Sequence, residues 1–292
     1  MAAPVPSPAD ESNAPPAKRS LAVKATLDLL CRFALGAVAL SCAAGCSDRP
    51  LVLVGPPSSS TLRDGLVGLW HLDEVTGTTV ADSSGHGNDG KLSGFADPAS
   101  VWIPGKFGNA LAVNAEGYVQ VPLSASIDGI ASGVTVSAWV YFDGTIADAN
   151  DFGTAISRQI SSGMAIDQYY HLSLRGPDGA PNLFVSPTVP STLAVTAAKG
   201  VPRSTWVHLA GTYEEVVGNT SPEILYVNGE VANNKMMISG RFATDNTPLI
   251  LGGNANMSTV SERFPGRIDE IALYNRSLSA DEIAELARGP VL

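Results

Sequence analysis

Asp73, Glu74, Asp82, Asn88, Asp89, Asp269 and Glu270 form the densest supply of hard-cation ligands in the chain. Ca²⁺ takes about six to eight oxygens from carboxylates, amides and backbone carbonyls, and the Gly-rich stretch from Asp82 to Gly90 offers all three kinds. The same Asp82, Asn88 and Asp89 suit tight turns equally well, because their short side chains bond their own backbone. A second chemistry, contact with a bound ligand, is offered by three polar segments with aromatic tips. They run from Asp148 to Phe152, from Asp167 to Tyr170 and from Asn254 to Arg263. Asp148, Asp151, Asp167, Tyr169, Tyr170 and Asn254 are their candidate contacts, since binding residues concentrate on loops held by a rigid scaffold. Plain solvated connection is the competing reading of these segments.

Other chemistries find no support. His71, His86, His171 and His208 are scattered and show neither a His-x-x-x-His nor a His-Glu-x-x-His spacing, and no nucleophile elbow or phosphate-binding loop is present. His71 and His208 sit in strand-like patterns and read as satisfied strand residues. Trp70, Trp139 and Trp206 also fall in such runs and read as core. All three cysteines, Cys31, Cys42 and Cys46, lie near the N-terminus, so the body of the chain has neither a disulfide nor a Cys-based metal site. A formal charge of −10 argues against a nucleic-acid partner, which requires a basic surface.

The elements that must hold these side chains are strands. Of 292 residues 45% are apolar and 16% charged, with 29 Gly and 20 Pro, a composition of many short strands joined by turns. From Leu66 onward such runs succeed one another. Val134–Phe142 alternates, with Val134, Val136, Ala138, Val140 and Phe142 on one face and Thr135, Ser137, Trp139 and Tyr141 on the other. Asn228-Gly229 predicts a type I′ hairpin and Asp178-Gly179 a weaker one. Near the end, Ser279 and Glu282 have capping-box spacing before the apolar stripe of Ile283, Leu286 and Ala287, which predicts a short helix.

The N-terminus has a different character. Lys18, Arg19, Lys24 and Arg32 precede an apolar run, Phe33 to Gly45, the layout of an export signal and too short to span a membrane. Ala43-Ala44-Gly45-Cys46 resembles the bacterial lipobox, with Ala43 where Leu is commonest. The resemblance implies cleavage before Cys46, lipidation of that cysteine and anchoring by its acyl chains. Ser47 after the cysteine resembles the pattern that sorts such proteins to the outer membrane. This divides the chain into a signal peptide (1–45), a Pro- and Ser-rich tether (46–63) and a single domain (64–290).

The domain resembles a known family. Gly68-Leu-Trp-His-Leu-Asp-Glu74, Pro104-Gly-Lys-Phe-Gly-Asn-Ala-Leu111, Trp206-Val-His-Leu-Ala-Gly-Thr-Tyr213, Leu225-Tyr-Val-Asn-Gly229, Gly266-Arg-Ile-Asp-Glu270 and Tyr274-Asn-Arg-Ser-Leu-Ser-Ala-Asp-Glu-Ile283 occur in order as in bacterial LamG-like domains of the concanavalin A-like lectin/glucanase superfamily. The resemblance implies an all-β fold, a two-sheet antiparallel jelly-roll sandwich of roughly 12 to 14 strands with a short C-terminal helix. In that fold the first and last strands lie close together, which implies a structural Ca²⁺ site drawing on Asp73, Asp82, Asn88 and Asp269. The glucanase branch carries alternating Glu and Asp on one strand, a pattern missing here, with Arg267 where its first Glu would stand. The expectation is a lipid-anchored bacterial envelope protein presenting a non-catalytic, calcium-stabilised module that binds carbohydrate or an envelope or extracellular protein. A glycoside hydrolase using two of Asp148, Asp151 and Asp167, or a structural docking protein, is the alternative.

Overall fold

The computed structural model describes residues 61–161, 166–187, 194–242, 247–256 and 259–291. Cys46, the apolar run and most of the tether lie outside the described residues. In chain order the strands are β1 (Leu66–Trp70), β2 (Thr79–Val80), β3 (Gly90–Ser93), β4 (Trp102–Pro104), β5 (Asn109–Ala112) and β6 (Tyr118–Val121). A one-turn helix α1 (Ala125–Asp128) leads into β7 (Gly133–Phe142), β8 (Phe152–Ser161), β9 (Ile166–Arg175), β10 (Ala180–Val185) and β11 (Val195–Thr196). Then come β12 (Trp206–Glu214), β13 (Thr220–Val227), β14 (Glu230–Ile238), β15 (Leu249–Leu251), β16 (Asn254–Asn256), β17 (Thr259–Ser261), β18 (Gly266–Tyr274) and helix α2 (Ala280–Leu286).

Two eight-stranded antiparallel sheets contain all but β16 and β17. The first runs β14-β13-β12-β7-β18-β5-β4, with β1 also paired to β18; the second runs β11-β10-β9-β8-β15-β6-β3-β2. The 18 strands among the described residues exceed the expected 12 to 14. The excess comes from two- and three-residue strands such as β2, β11 and β15, too short to show alternation in the sequence.

Between the sheets lies one apolar core. Val134, Val136, Ala138, Val140 and Phe142 belong to it, whereas Thr135, Ser137, Trp139 and Tyr141 face the other way, as the alternation of β7 requires. The outer face of the first sheet is partly covered by α2, whose Ile283 and Leu286 pack with Leu66, Leu69, Ala210, Tyr226, Ala272 and Tyr274. That helix starts where the capping box predicts: the Ser279 hydroxyl accepts from the Glu282 amide and the Glu282 carboxylate accepts from the Ser279 amide. The β13–β14 turn is the expected hairpin, with Asn228 at φ 51° and Gly229 at φ 84°.

Strand β18 carries a bulge. Opposite β7 it shifts register between Asp269 and Ala272, and Glu270 there takes φ 47°. The bulge occurs where β18 changes its other neighbour from β5 to β1. A bulge bends a strand and re-aims its side chains, and here it separates the environments of Asp269 and Glu270.

A polar niche on the second sheet and a carboxylate loop beside the first

The outer face of the second sheet is polar and buried. In β8, β9 and β10, Leu172, Leu174 and Leu183 point into the core, so Ser157, His171, Ser173 and Asn182 face outward, all 2% exposed or less. Such groups must find partners when removed from water. The Ser157 hydroxyl donates to Gly253 O at 2.9 Å, and Thr196 Oγ1 donates to Asn182 Oδ1 at 2.8 Å. His171 Nε2 stands 2.7 Å from Thr154 Oγ1. Burial drives the His171 pKa down to about 3, so its ring is neutral.

At one end of this face Asn254, Glu262 and His171 form a polar cluster, the niche. Asn254 Nδ2 donates to Glu262 Oε2 at 2.8 Å, and the same oxygen lies 3.7 Å from His171 Nε2. Asn254 is 3% exposed, and its Oδ1 has no hydrogen-bond partner among the described residues. The Phe152 ring packs edge-on to His171 at 5.4 Å, with the Arg175 guanidinium 5.9 Å from its centre. Arg175 is held by Ala149 O and Asn150 Oδ1. Burial raises the pKa of the Glu262 carboxyl, and the charge of Asp151 adds to the rise, while hydrogen bonds from Asn254 and Thr154 oppose it. The cluster therefore combines an amide acceptor, a carboxyl, a hydroxyl and an aromatic ring, with Phe152 and Glu262 partly exposed and Thr154 and the Asn254 Oδ1 buried beneath them.

Two candidate contacts bear on this cluster, and a third lies on the adjoining loop. Asn254 is in the niche, Asp151 acts on it electrostatically, and the exposed Asp148 holds the same loop through its carbonyl, which accepts from Asp151 N at 3.0 Å. Tyr170 is a correction. It is 1% exposed and belongs to the core, edge-on to Phe242 at 6.1 Å, because it shares its strand face with Leu172 and Leu174. Asp167 and Tyr169 lie in β9, but their side chains are outside the described residues. Sequence reasoning misses Glu262, His171 and Thr154 as site residues. A signal for His171 exists, since Tyr170-His-Leu-Ser-Leu174 alternates and places His171 with Ser173 opposite the apolar set.

The four residues expected at a calcium site separate into two groups. Asp82 is consumed by its own turn and by β1: Oδ1 accepts from Leu69 N and Ser84 N, and Oδ2 from Ser84 Oγ and Asn88 N, all within 3.0 Å. The Asn88 side chain is likewise occupied: Nδ2 donates to Val67 O at 2.8 Å and to Ser126 Oγ at 3.0 Å, and Oδ1 faces the Ser126 hydroxyl at 3.4 Å. Asp73 and Asp269 instead clasp the loop from Gly105 to Asn109. Asp269 Oδ2 accepts from Lys106 N (2.7 Å) and Phe107 N (3.0 Å), and Asp73 Oδ1 accepts from Asn109 N (2.7 Å). The approach is so close that a Cβ at Gly108 would lie 2.0 Å from Asp73 Oδ1. Asp269 Oδ1 is buried without a partner among the described residues, and burial lifts this carboxyl to a pKa of about 7. An orphaned carboxylate oxygen on a loop that a second carboxylate also holds is donor chemistry suited to a hard cation. The described residues hold no group of three or more His, Cys, Asp or Glu able to bind a metal, so backbone carbonyls would have to complete the set.

Comparison with known proteins agrees with the architecture. The Laminin_G_3 family model, described as the concanavalin A-like lectin/glucanases superfamily, matches residues 113–284. Among solved structures, domain 4 of AbnA, a GH43 extracellular arabinanase from Geobacillus stearothermophilus in complex with arabinotriose, is similar at 20% identity over 76% of this chain and 98% of that one, with a TM-score of 0.52. The binding domain of Paraclostridial Mosquitocidal Protein 1 is similar at 17% identity, over 77% of this chain and 52% of that one (TM-score 0.55). The binding domain of Botulinum Neurotoxin DC in complex with SialylT is similar at 11% identity, over 78% and 52% (TM-score 0.56). The chain thus spans about half of each toxin domain. At these identities the likeness is one of fold. No curated protein matches the sequence.

Proposed function

The chain belongs to the concanavalin A-like lectin/glucanases superfamily, and from that premise we propose that it is a non-catalytic carbohydrate-binding module carried by a lipid-anchored protein of the bacterial cell envelope. One observation carries the binding reading: the buried Asn254 amide oxygen has no partner among the described residues, in a cluster where Asn254 Nδ2 donates to Glu262 and the Phe152 ring packs on His171. A buried acceptor without a donor is costly, and a sugar hydroxyl would satisfy it once the partly exposed Glu262 side chain swings aside, while the Phe152 ring receives the apolar face of the sugar. Similarity to a domain solved with arabinotriose supports a neutral saccharide as the first ligand to try.

The experiment is a glycan array followed by titration calorimetry with the purified chain. Asn254→Ala and Phe152→Ala should each weaken binding about tenfold or more with the melting temperature held within a few degrees. Binding that survives both substitutions, or an array that stays silent with folded protein, overturns the reading and leaves an envelope or extracellular protein as the partner to seek by cross-linking.

Catalysis is the second reading, favoured by the electrostatic coupling of Asp151 to Glu262. Glycoside hydrolysis needs a carboxyl pair. Release of reducing sugar that stops in Glu262→Gln while binding persists would make the protein a hydrolase.

Calcium belongs to the proposal as a structural ion. Asp73 and Asp269 would hold it together with carbonyls of the loop from Gly105 to Asn109. When bound it neutralises their charge. The residues themselves already tie the end of β1 and the bulge of β18 to that loop.

A further inference from the structure

We propose that the outer face of the first sheet carries a second saccharide surface, distinct from the niche, that takes an acidic glycan chain bearing uronate carboxylates.

The surface is written into the register of three strands. Trp206 of β12 lies opposite Tyr141 of β7, which lies opposite Arg267 of β18. One row along, His208, Trp139 and Asp269 line up in the same way. The rows stand about 6.7 Å apart and neighbouring strands about 4.8 Å. Tyr141 and Trp206 pack at 5.4 Å with their planes tilted by 58°. The Arg267 guanidinium stands 4.5 Å from the centre of the Tyr141 ring, and its Nη2 is 3.4 Å from Asp143 Oδ2. In the second row the Lys106 ammonium sits 4.4 Å from the centre of the Trp139 ring, which also meets Phe107 edge-on at 5.8 Å.

Cover explains why one row is open and the other is not. Helix α2 and the segment from Gly289 to Val291 close over Ser137, Trp139 and His208, leaving Trp139 only 6% exposed. Trp206, Tyr141 and Arg267 lie beyond that cover and are half-buried, while Lys106 is exposed. Trp206 and Tyr141 therefore keep part of their ring area at the surface of the sheet, where a flat ligand can cover it.

Charge selects the occupant. The chain carries a formal charge of −10, yet Arg267 borders Tyr141 and Lys106 borders Trp139 in the adjoining row. Of the nearby acids, Asp143 pairs with Arg267, and Asp269 is fully buried with Oδ2 on the Lys106 and Phe107 amides. Guanidinium presents a planar fork of five donors that suits a carboxylate, and Asp143 steadies that fork without using it up. A sugar ring on Trp206 and Tyr141 with its carboxylate at Arg267, and a following carboxylate within reach of Lys106, satisfies both features.

Hexagalacturonate is the probe and maltohexaose its neutral counterpart, titrated calorimetrically into the full chain. The expected result is binding of hexagalacturonate that weakens with added salt, falls about tenfold or more in Trp206→Ala and in Arg267→Gln, and is unchanged in Phe152→Ala. Arg267→Gln keeps both rings in place, so the test does not depend on the folding of Trp206→Ala. Equal affinity for the two hexasaccharides, wild-type affinity in both surface variants, or loss confined to Phe152→Ala would overturn the proposal. The last outcome would place the acidic glycan in the niche, and a niche that fails with neutral sugars leaves this surface untouched.

Discussion

Glu223 shows most sharply how a single side chain can act against the fold that holds it. It is fully buried in β13, neither oxygen makes a well-formed hydrogen bond among the described residues, and burial raises its pKa from 4.5 to about 8. Lys235, its neighbour across the hairpin, and the Val185 backbone offset only part of that burden. Below pH 4.5 the carboxyl is protonated in folded and unfolded chains alike. Between pH 4.5 and 8 the unfolded chain releases the proton and the folded one keeps it, so stability falls as pH rises through this window. Glu223→Gln should therefore stabilise the protein at pH 7 by on the order of 2 kcal/mol and leave it unchanged at pH 4, as urea titrations at the two pH values would show. A gain that is the same at both would point to packing instead. Nothing in the sequence marks Glu223, because its burial depends on β10 and β11 lying across the core. Tyr170 is the opposite case, since Leu172 and Leu174 on the same parity already announce an inward ring.

At the scale of elements the legible features are those with a local cause. The alternation of β7, the Asn-Gly turn and the capping box each form as their sequences require. What the sequence hides is non-local: the β16–β17 hairpin beside β8, and the bulge in β18 that depends on its change of partner. Trp206 reads as core in the sequence and lies on the outer face, although the polarity of β7 already sets Trp139 and Tyr141 on that side. The β13–β14 turn is also a packing surface. A Cβ on Gly229 would lie 3.0 Å from Ala284 Cα and 3.2 Å from Ala287 Cβ, whereas one on Gly218, also at positive φ, would meet nothing within 4 Å. Gly218→Ala should cost about 1 kcal/mol of backbone strain, and Gly229→Ala roughly twice that because the helix end must also shift. Equal losses in chemical unfolding would mean that α2 yields freely.

For the whole molecule, two of the proposed attachments can be tested by their global effects. Millimolar Ca²⁺ should raise the melting temperature by several degrees, and Asp269→Ala should remove the rise. A wild-type melt that ignores both Ca²⁺ and chelator would exclude the ion. Palmitate should label the expressed protein in a bacterial host and be lost in Cys46→Ala, with the label in outer-membrane fractions. Label confined to the inner membrane would revise the sorting. A different global property arises from the way the described domain closes on itself. The Arg276 guanidinium donates to Thr61 O at 2.9 Å, and Leu62 and Val291 share one small apolar cluster. The two ends of the fold are therefore adjacent, as they are in domains that tolerate splicing into a host loop. Such a module can be exchanged between carriers as a cassette, entering and leaving a host surface through a single narrow gap.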